Sequence, residues 1–198
     1  MDEDLNWEKH IDYISSKVSS GIGAIKRLRE FIDQSTLVKV YNALIQPYFD
    51  YCSEVWDCFN KGLSDRLQKL QNRAARLIMG LKNEHGQSPI ALKSLGWMTL
   101  EERRAQLKAK LMFKTVNGLA PQRLCDIFKN VDEIHNYNLR GSTSKLYIPK
   151  PKTEFLKNSF GYSGAKLWNQ IPEQIRNSRS FKSFGNKLSS STSILVST

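Results

Sequence analysis

No stretch of this sequence approaches the roughly 18 consecutive apolar residues that would span a bilayer. Cysteine is scarce: Cys52, Cys58 and Cys125 cannot all pair with one another, and no C-x-x-C occurs, so neither a disulfide framework nor a zinc site is read from them. The histidines His10, His85 and His135 keep no ligand spacing with those cysteines. Gly21-x-Gly23 lacks a third glycine and falls inside a helical pattern, which excludes a phosphate-cradling loop. Scattered serines do not compose a Ser/His/Asp triad. Met1 is followed by Asp2, Glu3 and Asp4, the opposite of a secretory leader. These absences predict an intracellular protein of cytoplasm or nucleus, with reduced thiols, no cofactor, no metal and no membrane.

What is abundant is positive charge, and it is unevenly spread. The formal charge is +11. Residues 1–60 hold 6 Lys/Arg against 10 Asp/Glu, residues 61–130 hold 14 against 5, and residues 131–198 hold 10 against 4. A basic block of this kind repels itself until it meets a polyanion, because each phosphate contact releases condensed counterions. RNA or DNA is the first candidate and an anionic membrane surface the weaker one.

Apolar spacing predicts a mainly α fold. Ile11, Ile14, Val18, Ile25, Leu28 and Ile32 step by three and four over 7–32, with Gly21 where another member would fall and a close approach expected there. A second helix starts at Ser35 or Thr36 and carries Leu37, Val38, Tyr41, Leu44, Ile45 and Tyr48, with Pro47 as a kink or a new start. After a loop at 60–62, Leu63, Leu67, Leu70, Ala74, Leu77 and Ile78 form a third stripe stopped by Gly80. A short helix with Pro89 at its first position spans 88–95, and Thr99-x-x-Glu102 is a capping box. The helix it opens has Leu100, Leu107, Leu111 and Val116 as its core face and ends at Asn117-Gly118; a short helix at 122–128 follows. Residues 131–153 read as irregular with one strand at 146–148. The module at 153–188 contains Phe155, Phe160, Leu167, Trp168, Ile171, Phe181 and Phe184, and 189–198 is a frayed tail.

Asp50, Glu54 and Asp57, at i, i+4 and i+7, would share a helix face and hold a divalent cation if one helix ran through them, but the segment supplies no neighbouring His or Lys, and a solvated face is the reading adopted. Arg66, Lys69, Arg73 and Arg76 also step by three and four, and no acidic residue lies within 66–76. That row, assisted by Arg103, Arg104 and Lys108, is the predicted nucleic-acid contact, made to phosphates without reading bases. It can act only if its side chains are not tied up in ion pairs with the acidic opening segment. Trp97, Tyr147 and Trp168 are stacking candidates, each with a core role as the alternative.

The strings Leu5-Asn6-Trp7-x-x-His10-Ile11, Tyr41-x-x-Leu44-Ile45-Gln46-Pro47-x-x-Asp50-Tyr51 and 67–76 (LQKLQNRAAR), followed by Leu95-Gly96-Trp97, Asn117-Gly118-Leu119-Ala120-Pro121 and Leu167-Trp168-Asn169-x-Ile171-Pro172, occur in that order. The series resembles the region after the catalytic palm of non-LTR retrotransposon reverse transcriptases of the jockey or CR1 kind. The resemblance implies a thumb-like helical bundle at 1–80 that holds template and primer, a basic helical region at 81–130, and a C-terminal module at 131–188. The palm's aspartate pair has no counterpart here, so the chain alone is expected to be inactive as a polymerase. A helical interaction scaffold, self-associating through exposed apolar helix faces, is the competing expectation.

Overall fold

The computed structural model describes residues 7–57, 60–134 and 145–190. The acidic opening residues Asp2 to Asp4, Leu5 and Asn6, the residues Cys58, His135 and Gly141, and the tail from 191 onward lie outside the described residues. Among those described, the fold is mainly α, with no named strand and one isolated bridge between Asn130 and Leu146. No helix among them is long and apolar enough to cross a membrane.

The chain divides into two compact units, Met1–Arg103 and Arg104–Thr198, rather than at residue 80. Residues beyond 80 stay with the first unit because Ala91 and Leu92 pack on Ala75 of the preceding helix.

The first unit contains α1 (Glu8–Leu28), α2 (Gln34–Leu44), α3 (Gln46–Asp50), α4 (Ser53–Trp56), α5 (Lys61–Met79) and α6 (Gln87–Ser94), with α1 packed on α2 and α5, and α5 on α6. The α1 stripe continues through Ile22, which is buried between Val18 and Ile25 and takes the place that spacing had left empty. Gly21 lies beside it, and a methyl there would come within 2.7 Å of Ile45 Cγ1, so the helices meet closely at that point. Helix α1 ends at Leu28, short of Ile32, because Asp33 starts the next helix: its carboxylate accepts from Thr36 N–H at 3.2 Å and from the Thr36 hydroxyl at 2.6 Å. Those bonds, with the one from Ser35, hold the Asp33 carboxyl well below the usual carboxylate range. Pro47 opens α3 as a new start. Asn60 caps α5 by accepting from Leu63 N–H at 3.0 Å, which begins that helix earlier than the predicted loop allowed. At its other end Gly80, at φ 69°, lets Leu81 N–H reach the Arg76 carbonyl at 2.9 Å.

The capping box forms as spacing predicts: Glu102 Oε2 accepts from Thr99 N–H at 2.8 Å, and the Thr99 hydroxyl accepts from Glu102 N–H at 3.2 Å. It opens α7 (Leu100–Val116), within which the division between units falls. Leu100 belongs to the first core.

The second unit continues with α8 (Gln122–Cys125), α9 (Val131–Ile134), α10 (Glu154–Asn158), α11 (Phe160–Gln170), α12 (Glu173–Arg176) and α13 (Phe181–Ser190). Its core joins Ala109, Met112 and Phe113 to Leu146, Trp168, Ile171, Phe184 and Leu188. The core face of α7 here is therefore not the predicted Leu107, Leu111 and Val116; Val116 is exposed. The aliphatic leucines suggested one side, but the Phe113 ring, stacked on Phe184 at 4.5 Å, anchors the other. Phe155, also expected in the core, is 60% exposed.

Candidate nucleic-acid interface

Helix α5 buries Leu67, Gln71, Ala74, Ala75 and Ile78, and this fixes where its cations point. Lys69 and Arg73 are exposed and make no hydrogen bond or ion pair with another described residue. They are one turn apart, about 6 Å along the axis, close to two phosphate steps of one strand. The other members of the row are engaged. Arg66 Nη1 donates to Asp12 Oδ1 on α1 at 2.6 Å, in an exposed pair that water and salt weaken. Arg76 is half-buried and donates to the Ser88 hydroxyl at the start of α6.

The three helpers do not join this row. Arg103 grips Asp50 with a two-pronged fork, Nε and Nη2 each at 2.6 Å from a carboxylate oxygen, and Gln46 Nε2 donates to the same carboxylate at 2.8 Å. Arg103 is thereby committed to holding α7 against α3. Arg104 and Lys108, expected to assist the row, are buried, with exposures of 4% and 9%. The row is thus two open cations flanked by two exchangeable ones, all within the first unit.

The carboxylates considered for a metal are also placed. Asp50 ends α3, Cys52 turns left-handed at φ 50°, and Glu54 belongs to α4, so Asp50, Glu54 and Asp57 share no continuous helix face. Among the stacking candidates, Trp168 is 3% exposed and serves the core. Trp97 stacks on Tyr41 with ring centroids 4.0 Å apart. Tyr147 is 37% exposed.

Two acidic residues in the sequence bear on these pairings. Asp12 falls one residue after the buried Ile11, hence on the flank of α1, where a cross-helix pair with Arg66 can form. Asp65, one turn before Lys69 on α5, lies just outside the 66–76 window; it is exposed.

Charge divides sharply between the units. Residues 1–103 contain 14 Lys/Arg and 14 Asp/Glu, whereas residues 104–198 contain 16 Lys/Arg and 5 Asp/Glu. The whole excess of +11 therefore belongs to the second unit.

No protein-family model matches the chain, and no solved structure matches it. Over 68 residues, 34% of this chain, it is 32% identical to an uncharacterized protein of Caenorhabditis elegans. The match takes in 34% of that relative's length, so the chain spans about a third of it.

Proposed function

We propose that the chain binds RNA or DNA through phosphate contacts from α5, as the region following the palm of a non-LTR retrotransposon reverse transcriptase, and performs no polymerase chemistry itself. The observation that carries this reading is the pair Lys69 and Arg73, exposed one turn apart and in ion pair or hydrogen bond with no described side chain. Arg66 and Arg76 extend the pair, since a phosphate competes readily with an exposed carboxylate or a serine hydroxyl for a guanidinium. The basic second unit adds long-range attraction without fixing register. Contacts of this kind position a strand and tolerate any sequence.

The test is a salt titration of binding to a short RNA/DNA hybrid. Affinity is expected to fall steeply between low and moderate salt; an affinity that stays flat overturns the reading. Primer extension with magnesium is expected to give no product, since the palm aspartates are not in this sequence.

A second reading, self-association through apolar faces, is favoured by Phe31, Tyr51 and Val55, exposed at 81%, 75% and 59% in the first unit. Measuring particle size before and after nuclease treatment separates the two. A self-associating scaffold keeps its size when nucleic acid is removed, and a nucleic-acid binder returns to a monomer.

A further inference from the structure

The second unit contains a cleft of about 340 Å3 that the α5 row does not use. Its wall is built by a backbone clamp. Asn169 Oδ1 accepts from Leu146 N–H at 2.9 Å, and Asn169 Nδ2 donates to the Leu146 carbonyl at 2.8 Å. Beside it, Tyr147 N–H donates to the Lys129 carbonyl at 2.9 Å and Val131 N–H to the Lys145 carbonyl at 3.1 Å. Residues 145–147 are thereby held extended, and in an extended chain successive side chains alternate. With Leu146 buried at 3%, Tyr147 turns outward into the cleft, and Pro149 and Pro151 line it at the same two-residue interval.

Tyr162 and Leu156 line the same cleft. At Gly161 an added methyl would approach Ile127 Cγ2 to 3.2 Å, so a larger residue there would crowd the cleft. Lys129 and Lys150, both exposed, stand at its rim, and no Asp or Glu is among its lining residues. Aromatic rings and prolines between lysines, in a unit carrying the entire excess of positive charge, match a flat ring attached to an anion.

We propose that this cleft takes an unpaired base of a single-stranded nucleic acid, with the ring against Tyr147, Tyr162 and the prolines and the adjoining phosphates on Lys129 and Lys150. The site differs in kind from α5, which contacts phosphates of paired or unpaired strands alike. A base must leave its stack to enter here, so the cleft discriminates against a blunt duplex. An acidic peptide would satisfy the lysines but leave the aromatic wall without a matching ring.

The experiment uses the full chain and a short uridine oligonucleotide carrying one 4-thiouridine, with a blunt duplex of equal length as the comparison. The photo-crosslink is expected in the peptides holding Tyr147 or Tyr162. Tyr147→Ala should lower single-strand affinity roughly tenfold and leave duplex affinity unchanged, with Tyr147→Phe restoring it. Lys150→Glu, at an exposed position without a role in the core, should weaken the same strand and keeps the test valid if Tyr147→Ala does not fold. Lys69→Ala with Arg73→Ala should weaken duplex binding and leave the crosslink in place, which separates this site from the α5 contacts. The inference is overturned by crosslinks elsewhere or none, by equal losses on strand and duplex, by a crosslink that vanishes with the α5 variants, or by polyglutamate displacing the oligonucleotide as well as an unlabelled strand does.

Discussion

Residues 1–103 carry as many acidic as basic side chains, while residues 104–198 carry 16 Lys/Arg against 5 Asp/Glu, and the reason is visible in what the acids do. In the first unit four of them are structural. Asp33 caps α2, Glu102 closes the capping box, Asp50 holds Arg103, and Asp12 engages Arg66. The second unit uses other means. Lys114 lies over the Phe181 ring at 4.8 Å and Lys187 Nζ donates to the Gln174 carbonyl at 3.2 Å, with the Lys157 to Glu154 pair as one acidic contact. Net charge and ordered presentation are therefore separate properties: a neutral unit displays a fixed row, and a strongly basic unit supplies a field that decays over about 8 Å at physiological salt.

The largest effect expected from testing this division is Phe184→Ala, which removes the partner stacked on Phe113 and should cost about 3 to 5 kcal/mol. In a denaturant melt, Trp168 should report the loss while Trp56 and Trp97 keep their transition; equal shifts in all three would show that the units unfold as one. Next, Lys69→Ala with Arg73→Ala should reduce the slope of log affinity against log salt by about 2. An unchanged slope would assign the phosphate contacts to residues 104–198. Gly21→Ala should destabilise the first unit by about 1 to 3 kcal/mol, since its methyl meets Ile45. Gly23→Ala, where the nearest atom is Arg27 Nη1 at 3.8 Å, should stabilise it by about 0.5 to 1 kcal/mol, and thermal melts distinguish the pair.

Smaller still, Asp12→Ala should change stability by less than about 1 kcal/mol, because the pair is exposed. The same change should raise the salt slope by about 1 as Arg66 becomes available to a phosphate. The least effect is at Asp33. Its carboxyl titrates below the ordinary 3.8 when folded, so the cap contributes fully above that pH and its contribution drains away as pH falls through the native value. The Thr36 amide resonance, followed by NMR during acidification, should move only in that acid range.

The sequence was most legible where local chemistry decides. The α5 stripe, its stop at Gly80 and the Thr99-x-x-Glu102 box are set by neighbours within a turn and are found in the structure, and of the two readings at Pro47, a kink or a new start, the structure has the new start. Legibility failed where a distant residue decides. Spacing alone admits both Gly21 and Ile22, three and four residues after Val18, and the close approach of Ile45 to Gly21 is the tertiary contact that accompanies the burial of Ile22. On α7 the leucines outrank Ala109 and Met112 in any local count, whereas the aromatic cluster around Phe184 decides the packing. The same holds for the candidate interface. The spacing of Lys69 and Arg73 could be read directly, but the burial of Arg104 and Lys108 and the fork from Arg103 to Asp50 depend on tertiary partners that no single helix announces.

One amide carries more responsibility than its size suggests. Asn169 serves the Leu146 backbone as acceptor and donor at once, and no side chain of similar shape does both. Conversion to aspartate by slow hydrolysis would keep the acceptor, lose the donor and set a carboxylate against a carbonyl. The loss would be felt first in the placing of Tyr147, the next residue along the extended segment that this amide holds.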